Sequence, residues 1–281
     1  MYNDWQSASK VMNEIDNLSI DSEYQISIVI VNDASNHKHQ NEDKNLENVH
    51  SVKILNMKKN QGHSRCIATG LKYIHEKEDF DFVIPMDGDG EDRPSEIKDF
   101  INQIKNSNGK SIVGERVKRS ESLLFKICYQ IHKLITLTFT GKSIKFGNFT
   151  CLSKTTVKKM INEKATWNSF SGALTKIEKE LISIPSIRGT RYFGPSKMSF
   201  FNLLKHSLSI ISVFRVTVLI HSALFIILYI LLIKSNASLI TAIPLILLLV
   251  MIYLISDLAL RENITEFNNS LENIESIDKI K

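Results

Sequence analysis

Two stretches of this sequence do not suit a water-facing fold. Val216–Ile233 and Ser238–Ser256 carry no formal charge and consist mainly of Leu, Ile and Val. Each is close to the roughly 20 residues that cross a hydrocarbon core. A buried helix pair in a soluble core is the competing reading, but such helices keep a polar face, and these stretches are apolar all round. Only Lys234-Ser235-Asn236-Ala237 separates them, so the chain is expected to form a helical hairpin that returns to the side it left. Lys197, Lys205 and Arg215 precede the first stretch and Arg261 follows the second, against Lys234 alone between them. Because cytoplasmic flanks carry the excess of Lys and Arg, the expected placement is a multi-pass protein of the cell (inner) membrane with its large N-terminal part cytoplasmic.

The 281 residues leave room for one large domain before the hairpin. Met1 to Leu18 is polar and amphipathic, without the apolar core of a secretory signal. Cys66, Cys128 and Cys151 are odd in number and share no metal-ligand spacing, so they read as reduced, small, partly buried residues. A net charge of +5 suits a surface facing anionic lipid or phosphate. No aromatic-plus-basic motif points to nucleic acid. His221, inside the first stretch, reads as a neutral helix-packing residue.

Along the N-terminal part, helical and strand patterns alternate. Val11, Met12, Ile15 and Leu18 share one helical face, and Tyr24–Val31 is an apolar, β-branched run ending in Asn32-Asp33-Ala34-Ser35. Val52–Leu55 is a short strand, and Asn60-Gln61-Gly62-His63 turns into a helix through Cys66, Ile67, Leu71 and Ile74. Phe82–Met86 is a further strand, Pro94 suits the first turn of the next helix, and Ser111–Val113 is a strand leading into Gly114–Arg119. Such alternation predicts an α/β domain whose mostly parallel sheet is wound by right-handed crossovers. Leu123–Phe139 and Phe200–Val213 are amphipathic; the first fits either a membrane interface or an ordinary half-buried helix. The residues after Arg261 read as a polar helix or a disordered tail.

The chemistry concentrates at Asp87-Gly88-Asp89-Gly90-Glu91, placed by the strand Phe82–Met86 at the carboxyl edge of the sheet, where open α/β sheets keep their ligands. Three carboxylates on one turn repel unless a cation lies between them, and hard oxygen ligands suit Mg²⁺ or Mn²⁺. An EF-hand calcium loop is excluded, because its sixth and twelfth positions are Asp92 and Lys98 rather than Gly and Glu. A solvated acidic turn is the plain alternative.

Three segments in this order and spacing resemble the family 2 glycosyltransferases of the GT-A fold, in particular their membrane-tethered branch with dolichol-phosphate mannose synthase and bacterial polyprenyl-phosphate sugar transferases. Asn32-Asp33-Ala34-Ser35 is similar to the family's Asp-Asp-Gly-Ser turn, and Asn60-Gln61-Gly62-His63 to its Asn-x-Gly turn. Asp87-Gly88-Asp89-Gly90-Glu91-Asp92-Arg93-Pro94 is similar to its Asp-Ala-Asp-Leu-Gln-Asp-Pro-Pro segment. The resemblance implies that Asp33, Asn60, Gly62 and Asp87 hold a nucleotide-sugar donor and that Asp87, Asp89 and Glu91 hold Mg²⁺ or Mn²⁺. Glu91 stands where Gln is common. It further implies catalytic roles for Asp89, Arg116 and Arg119, from a Gly-x-Arg-x-x-Arg segment. Arg188, Arg191, Ser196 and Lys197, from the segment just before the membrane, would bind the acceptor phosphate. Gly147-Asn148-Phe149 would shape an acceptor-side loop.

The implied reaction is an inverting, metal-dependent transfer of a sugar to a membrane polyprenyl phosphate. Transfer to a lipid-linked saccharide or other membrane acceptor, and a non-catalytic membrane scaffold, are the alternatives; a transporter would need intramembrane charges that these spans lack. The implied organisation is a GT-A domain over residues 1–198, an amphipathic juxtamembrane helix over 199–213, two spans within 214–260 and a polar tail over 261–281. A two-span anchor also offers a surface for lateral homo-oligomer formation. In the family an apolar strand precedes Pro-x-Tyr-Asn, whereas this sequence starts at Met1-Tyr2-Asn3-Asp4. The sheet is therefore expected to lack its first, central strand.

Overall fold

The computed structural model of the chain describes residues 1–37, 46–118, 123–195 and 200–281. Helix α1 (Trp5–Asp16) buries Ala8, Val11, Met12 and Ile15 on the apolar face that their spacing defines. It leads to β1 (Ser27–Asn32), β2 (Ser51–Met57), α2 (His63–Lys77) and β3 (Phe82–Val83). A 3-10 turn at Pro94–Glu96 opens α3 (Ile97–Ile104), followed by β4 (Ile112–Lys118) and α4 (Leu123–Thr140). Next come β5 (Phe146–Ser153), α5 (Lys154–Asn162), α6 (Phe170–Ile177) and β6 (Ile182–Ile187). The chain then enters α7 (Phe200–Ser212), α8 (Arg215–Ile233) and α9 (Leu239–Ala259), and ends with α10 (Ile264–Asn268) and β7 (Ile274–Lys279).

The α/β architecture is present, but the pairing is mixed rather than mostly parallel. One sheet has the order β1-β2-β7 and the other β3-β5-β4-β6. Among the described residues only β1 with β2 and β4 with β6 run parallel; β2 with β7, β3 with β5, and β4 with β5 are antiparallel. Each antiparallel pair contains β5 or β7, the two strands that sequence periodicity did not reveal. Phe146–Ser153, which contains Gly147-Asn148-Phe149, is a strand rather than a loop. Among the described residues no ladder joins β1 to β3, and both end their sheets. Met1 lies on the open edge of β1, its amino group donating to the Val31 carbonyl and its carbonyl accepting from Asp33 N–H.

Strand β3 is shorter than the apolar run predicts, because Pro85 has no N–H for a ladder and Ile84–Met86 find no partner strand. The core beneath β1, β2 and β4 is filled from α1 and α3 by Met12, Ile15, Phe100 and Ile101, with Phe100 set edge-on against Phe149 at 4.9 Å. A second core joins α2, α5 and α6 through Leu71, Val157, Met160 and Leu174.

Helices α8 and α9 are long and apolar enough to cross a membrane. Ser238 and Thr241 form a reciprocal capping box at the start of α9, in which Thr241 N–H donates to Ser238 Oγ and Ser238 N–H to Thr241 Oγ1, two donors the helix itself leaves unbonded. Ile211 of α7, Val218 of α8 and Ile255 of α9 are fully buried together, packed by Ile135 and Phe139 of α4. The other side of α4 exposes Ile131, Leu134 and Leu137, and α7 exposes Phe201 and Leu204, so an apolar strip continues from the hairpin onto the domain. His221 is a packing residue with a polar partner, its Nδ1 lying 3.0 Å from the Thr138 carbonyl of α4.

The last 20 or so residues are neither a lone polar helix nor disorder. Phe267 of α10 is fully buried and stacks on Trp167 at 5.4 Å, while Trp167 Nε1 donates to Glu266 at 2.7 Å. Beyond it β7 adds an edge strand to β2, and Lys281 Nζ donates to the Leu46 and Glu47 carbonyls. Its charged, outward-facing residues conceal this strand from a periodicity search, since a solvent-exposed edge favours charge over alternation.

Candidate active site

Two turns of the first sheet are tied together by one carboxylate. Asp33, just past β1, accepts from Gln61 N–H at 2.6 Å and Gly62 N–H at 3.0 Å, while Asn60 Nδ2 donates to the Asp33 carbonyl at 3.1 Å. Gly62 has φ +87°, a left-handed conformation that a side chain would strain, and it starts α2. Asp33, Asn60 and Gly62 are thus brought together, with both carboxylate oxygens of Asp33 spent on backbone donors.

The acidic turn follows β3 and is shaped by its own side chains. Asp92 Oδ2 accepts from Asp87 N–H at 2.9 Å, and Asp89 Oδ1 accepts from Glu91 N–H at 3.0 Å. Over it lies the segment that leaves β6. Gly189 N–H donates to the Glu91 carbonyl at 2.8 Å and Tyr192 N–H to the Asp89 carbonyl at 2.9 Å. The approach is close: a Cβ on Gly189 would stand 2.8 Å from the Gly90 carbonyl, and one on Gly90 would stand 2.6 Å from the Tyr192 ring. Arg188 pairs with Glu91, and Arg191 pairs with both Asp4 and Asp89, the latter at 2.7 Å. Tyr192 donates its hydroxyl to Glu14 at 2.5 Å with Lys10 above its ring, and Glu96 accepts from Ser186 Oγ and Ile187 N–H, fixing the root of the segment.

Further basic side chains approach the turn from three other elements. Arg116, from β4, lies 3.7 Å from Asp92, and it lies so near Gly147 that a Cβ there would be 2.9 Å from its Nη2. His63 Nε2, at the first position of α2, is 3.6 Å from Asp87 Oδ1 and 2.6 Å from Asn148 Nδ2. The ring of His206, from α7, is 6.3 Å from that of His63.

Burial and charge crowding together set the titration of the four acids. Burial pushes Asp87 up, but His63, Arg116, Arg188 and His206 together hold it below the usual carboxylate value. Burial and the charge of Asp87 raise Asp89 and carry Asp92 to about 7. Burial also raises Glu91, against the pull of Arg188.

As the side chains stand, the expected ligand trio does not fit a divalent ion. Asp89 and Glu91 are each taken up by an arginine, and among the described residues no three Asp, Glu, His or Cys side chains converge on one point. Asp87 Oδ1 alone is buried and accepts no hydrogen bond. Of the residues expected to meet an acceptor phosphate, Arg188 and Arg191 lie on the acidic turn, while Ser196 and Lys197, like the catalytic candidate Arg119, fall outside the described residues. Sequence reasoning missed Asp4, Glu14, Glu96, Tyr192, His63 and His206. Only their partners across the fold single them out, although Asp4 and His63 adjoin segments that were already conspicuous.

The site is thus a carboxylate turn at a strand edge of an α/β domain, with a tied pair of turns and arginines from β4 and from the segment after β6. The sequence matches glycosyl transferase family 2 over residues 1–168, and the chain belongs to that family. It is similar to two Klebsiella pneumoniae proteins named undecaprenyl-phosphate 4-deoxy-4-formamido-L-arabinose transferase. Each is 25% identical over 213 residues, which are 73% of this chain and 62% of the relative. The chain therefore spans less than two thirds of the length of the curated relatives it matches.

Proposed function

We infer that this protein transfers a sugar from a nucleotide-sugar donor to a polyprenyl phosphate at the cytoplasmic face of the cell membrane. The observation that carries the reading is the meeting of Arg116 from β4 and of Arg188 and Arg191, from the segment between β6 and the membrane helices, on one acidic turn. An acceptor phosphate is ionised at pH 7 and needs no general base. Its oxygen attacks the anomeric carbon from the face opposite the leaving group, forming the new C–O bond. The bond to the nucleoside diphosphate breaks with its electron pair going to the departing phosphate, and the centre inverts. The work of the chain is to hold two anions in line, for which planar, bidentate arginines are suited. Members of the family generally use a divalent metal; here Mg²⁺ or Mn²⁺ would meet carboxylates already paired with arginine.

Membranes containing the protein, incubated with radiolabelled sugar nucleotides, should yield an acid-labile, phosphate-linked lipid. An acid-stable glycosidic product would instead assign a lipid-linked saccharide as acceptor. Asp89→Ala should reduce transfer by about a hundredfold or more, the scale of losing an electrostatic contact at the reacting centre. Unchanged behaviour of that variant, with no affinity for any nucleoside diphosphate in the parent, would favour a scaffold that keeps the fold without the chemistry.

A further inference from the structure

Strand β7 is paired on one side only. Its ladder to β2 sets Lys279 against Lys53, Asp278 against Ile54, Ile277 against Leu55 and Ser276 against Asn56, and among the described residues no strand lies along its outer edge. The free N–H and C=O groups of such an edge are a template for a further strand, which proteins commonly block with proline or repelling charge. Strand β7 has no proline, and its charges are of both signs. Asp278 is satisfied within the chain, because Asn56 Nδ2 donates to it at 2.8 Å and to Ser276 Oγ at 3.0 Å. The other side chains are not. Ile277 is 43% exposed although Leu55 across from it is fully buried. Lys279 faces Lys53, which Glu78 already holds at 2.6 Å, and Glu275 is the extra residue of a bulge with no position opposite it on β2. Among the described residues neither Glu275 nor Lys279 makes an ion pair.

We propose that β7 pairs with itself: two copies of this chain join antiparallel along their β7 edges about a two-fold axis at Ile277. In that register Glu275 of each copy faces Lys279 of the other, and Ile277 faces its own counterpart. Two charges that lack a partner in the single chain are matched, and the exposed isoleucine is covered. The contact is isologous, the same patch serving both copies, so it closes as a dimer and does not propagate. Two three-stranded sheets become one of six strands, in the order β1-β2-β7-β7-β2-β1. Charge order specifies the register. An axis at Ser276 or at Asp278 would set Ile277 against Glu275 or Lys279, and parallel pairing in register would set Glu275 against Glu275 and Lys279 against Lys279. Like charges directly opposite destabilise a strand pair and opposite charges stabilise it.

The test uses the full chain in detergent, its mass read by light scattering over a range of concentrations. The parent should form dimers. Glu275→Lys and Lys279→Glu should each weaken association about tenfold, because by symmetry each change sets two pairs of like charges across the axis. Both changes in one chain bring opposite charges together again and should restore the association of the parent. A parent that stays monomeric, or a dimer indifferent to all three variants because the copies meet elsewhere, such as along α8 and α9, overturns the proposal. Register is read by Ile277→Cys in a chain that also carries Cys128→Ser. Opposed residues of an antiparallel pair have Cα atoms about 5.5 Å apart, within reach of a disulfide, so oxidation with copper phenanthroline should give a linked dimer on non-reducing gels. Glu275→Cys, whose counterpart would stand roughly 14 Å away, should stay unlinked. Linkage at 275 without linkage at 277 overturns the proposed pairing. Glu275, Ile277 and Lys279 are all exposed in the single chain, so these changes leave its core intact and a lost dimer reports on pairing. Neither readout involves sugar transfer, and the outcome is independent of the proposed reaction.

Discussion

At the scale of single residues, the strongest polar commitments lie where a side chain closes a turn that the backbone leaves open. Asp16, at the end of α1, accepts from the N–H groups of Glu47, Asn48 and Val49. Burial raises its pKa, but those three donors prevail and hold it below the ordinary 3.8. A depressed carboxylate stabilises the fold above its unfolded pKa, and that contribution is lost as pH falls through the lower folded value. Asp16→Asn should therefore cost about 1–3 kcal/mol at neutral pH, and urea unfolding should show the gap to the parent narrowing once pH drops below 3.8. Cysteine behaviour follows chiefly from burial. Burial pushes the Cys151 thiol to about 12, and burial followed by the Asp33 carboxylate pushes Cys66 well above the usual range. Iodoacetamide at pH 8 should leave both unmodified in the folded chain and label both after denaturation, as mass spectrometry of the peptides will report. Asp33 marks the limit of reading residues one at a time. Its place in a polar turn is evident from the sequence, but its service to the Gln61 and Gly62 amides depends on a turn 28 residues away.

Elements were legible where one face is apolar over a full period, and illegible where the partner supplies the reason for the element. The faces of α1 and α2 repeat at helical spacing, so local pattern suffices. Strand β7 shows no such pattern, because an exposed edge strand needs only a partner ladder; β5, paired along β4 and through Leu152 and Ser153 with β3, breaks its pattern with Gly147, Asn148 and Thr150. The C-terminal strap hangs on one aromatic anchor. Phe267→Ala should remove the stack on Trp167 and cost about 3–5 kcal/mol locally. Amide exchange should then accelerate in β7 and along its ladder in β2, while the α5–α6 core keeps its protection. Uniform acceleration throughout the domain would show instead that the strap belongs to the global folding unit.

At the scale of the molecule, two apolar helices, a strip on α4 and α7 and the acidic site lie in one continuous arrangement, with His206 of α7 within 6.3 Å of His63 at the site. Under the proposed function, that proximity would let a membrane-held acceptor meet a donor bound by the domain. The charge bias around the hairpin makes a topological prediction: Ser235→Cys, in the turn between α8 and α9, should react with an impermeant maleimide added outside intact cells. A cysteine on the domain surface at Lys179 should react only after the membrane is opened; the reverse pattern would invert the assigned orientation. The sequence by itself determined the hairpin, the α/β class and the family, because length, charge and short turn motifs are local properties of the chain. Tertiary structure alone decided that the sheet is mixed, that the tail returns as a strand and that Glu91 and Asp89 face arginines instead of each other. Those are outcomes of long-range pairing, in which a charge is satisfied by whichever partner the fold carries to it.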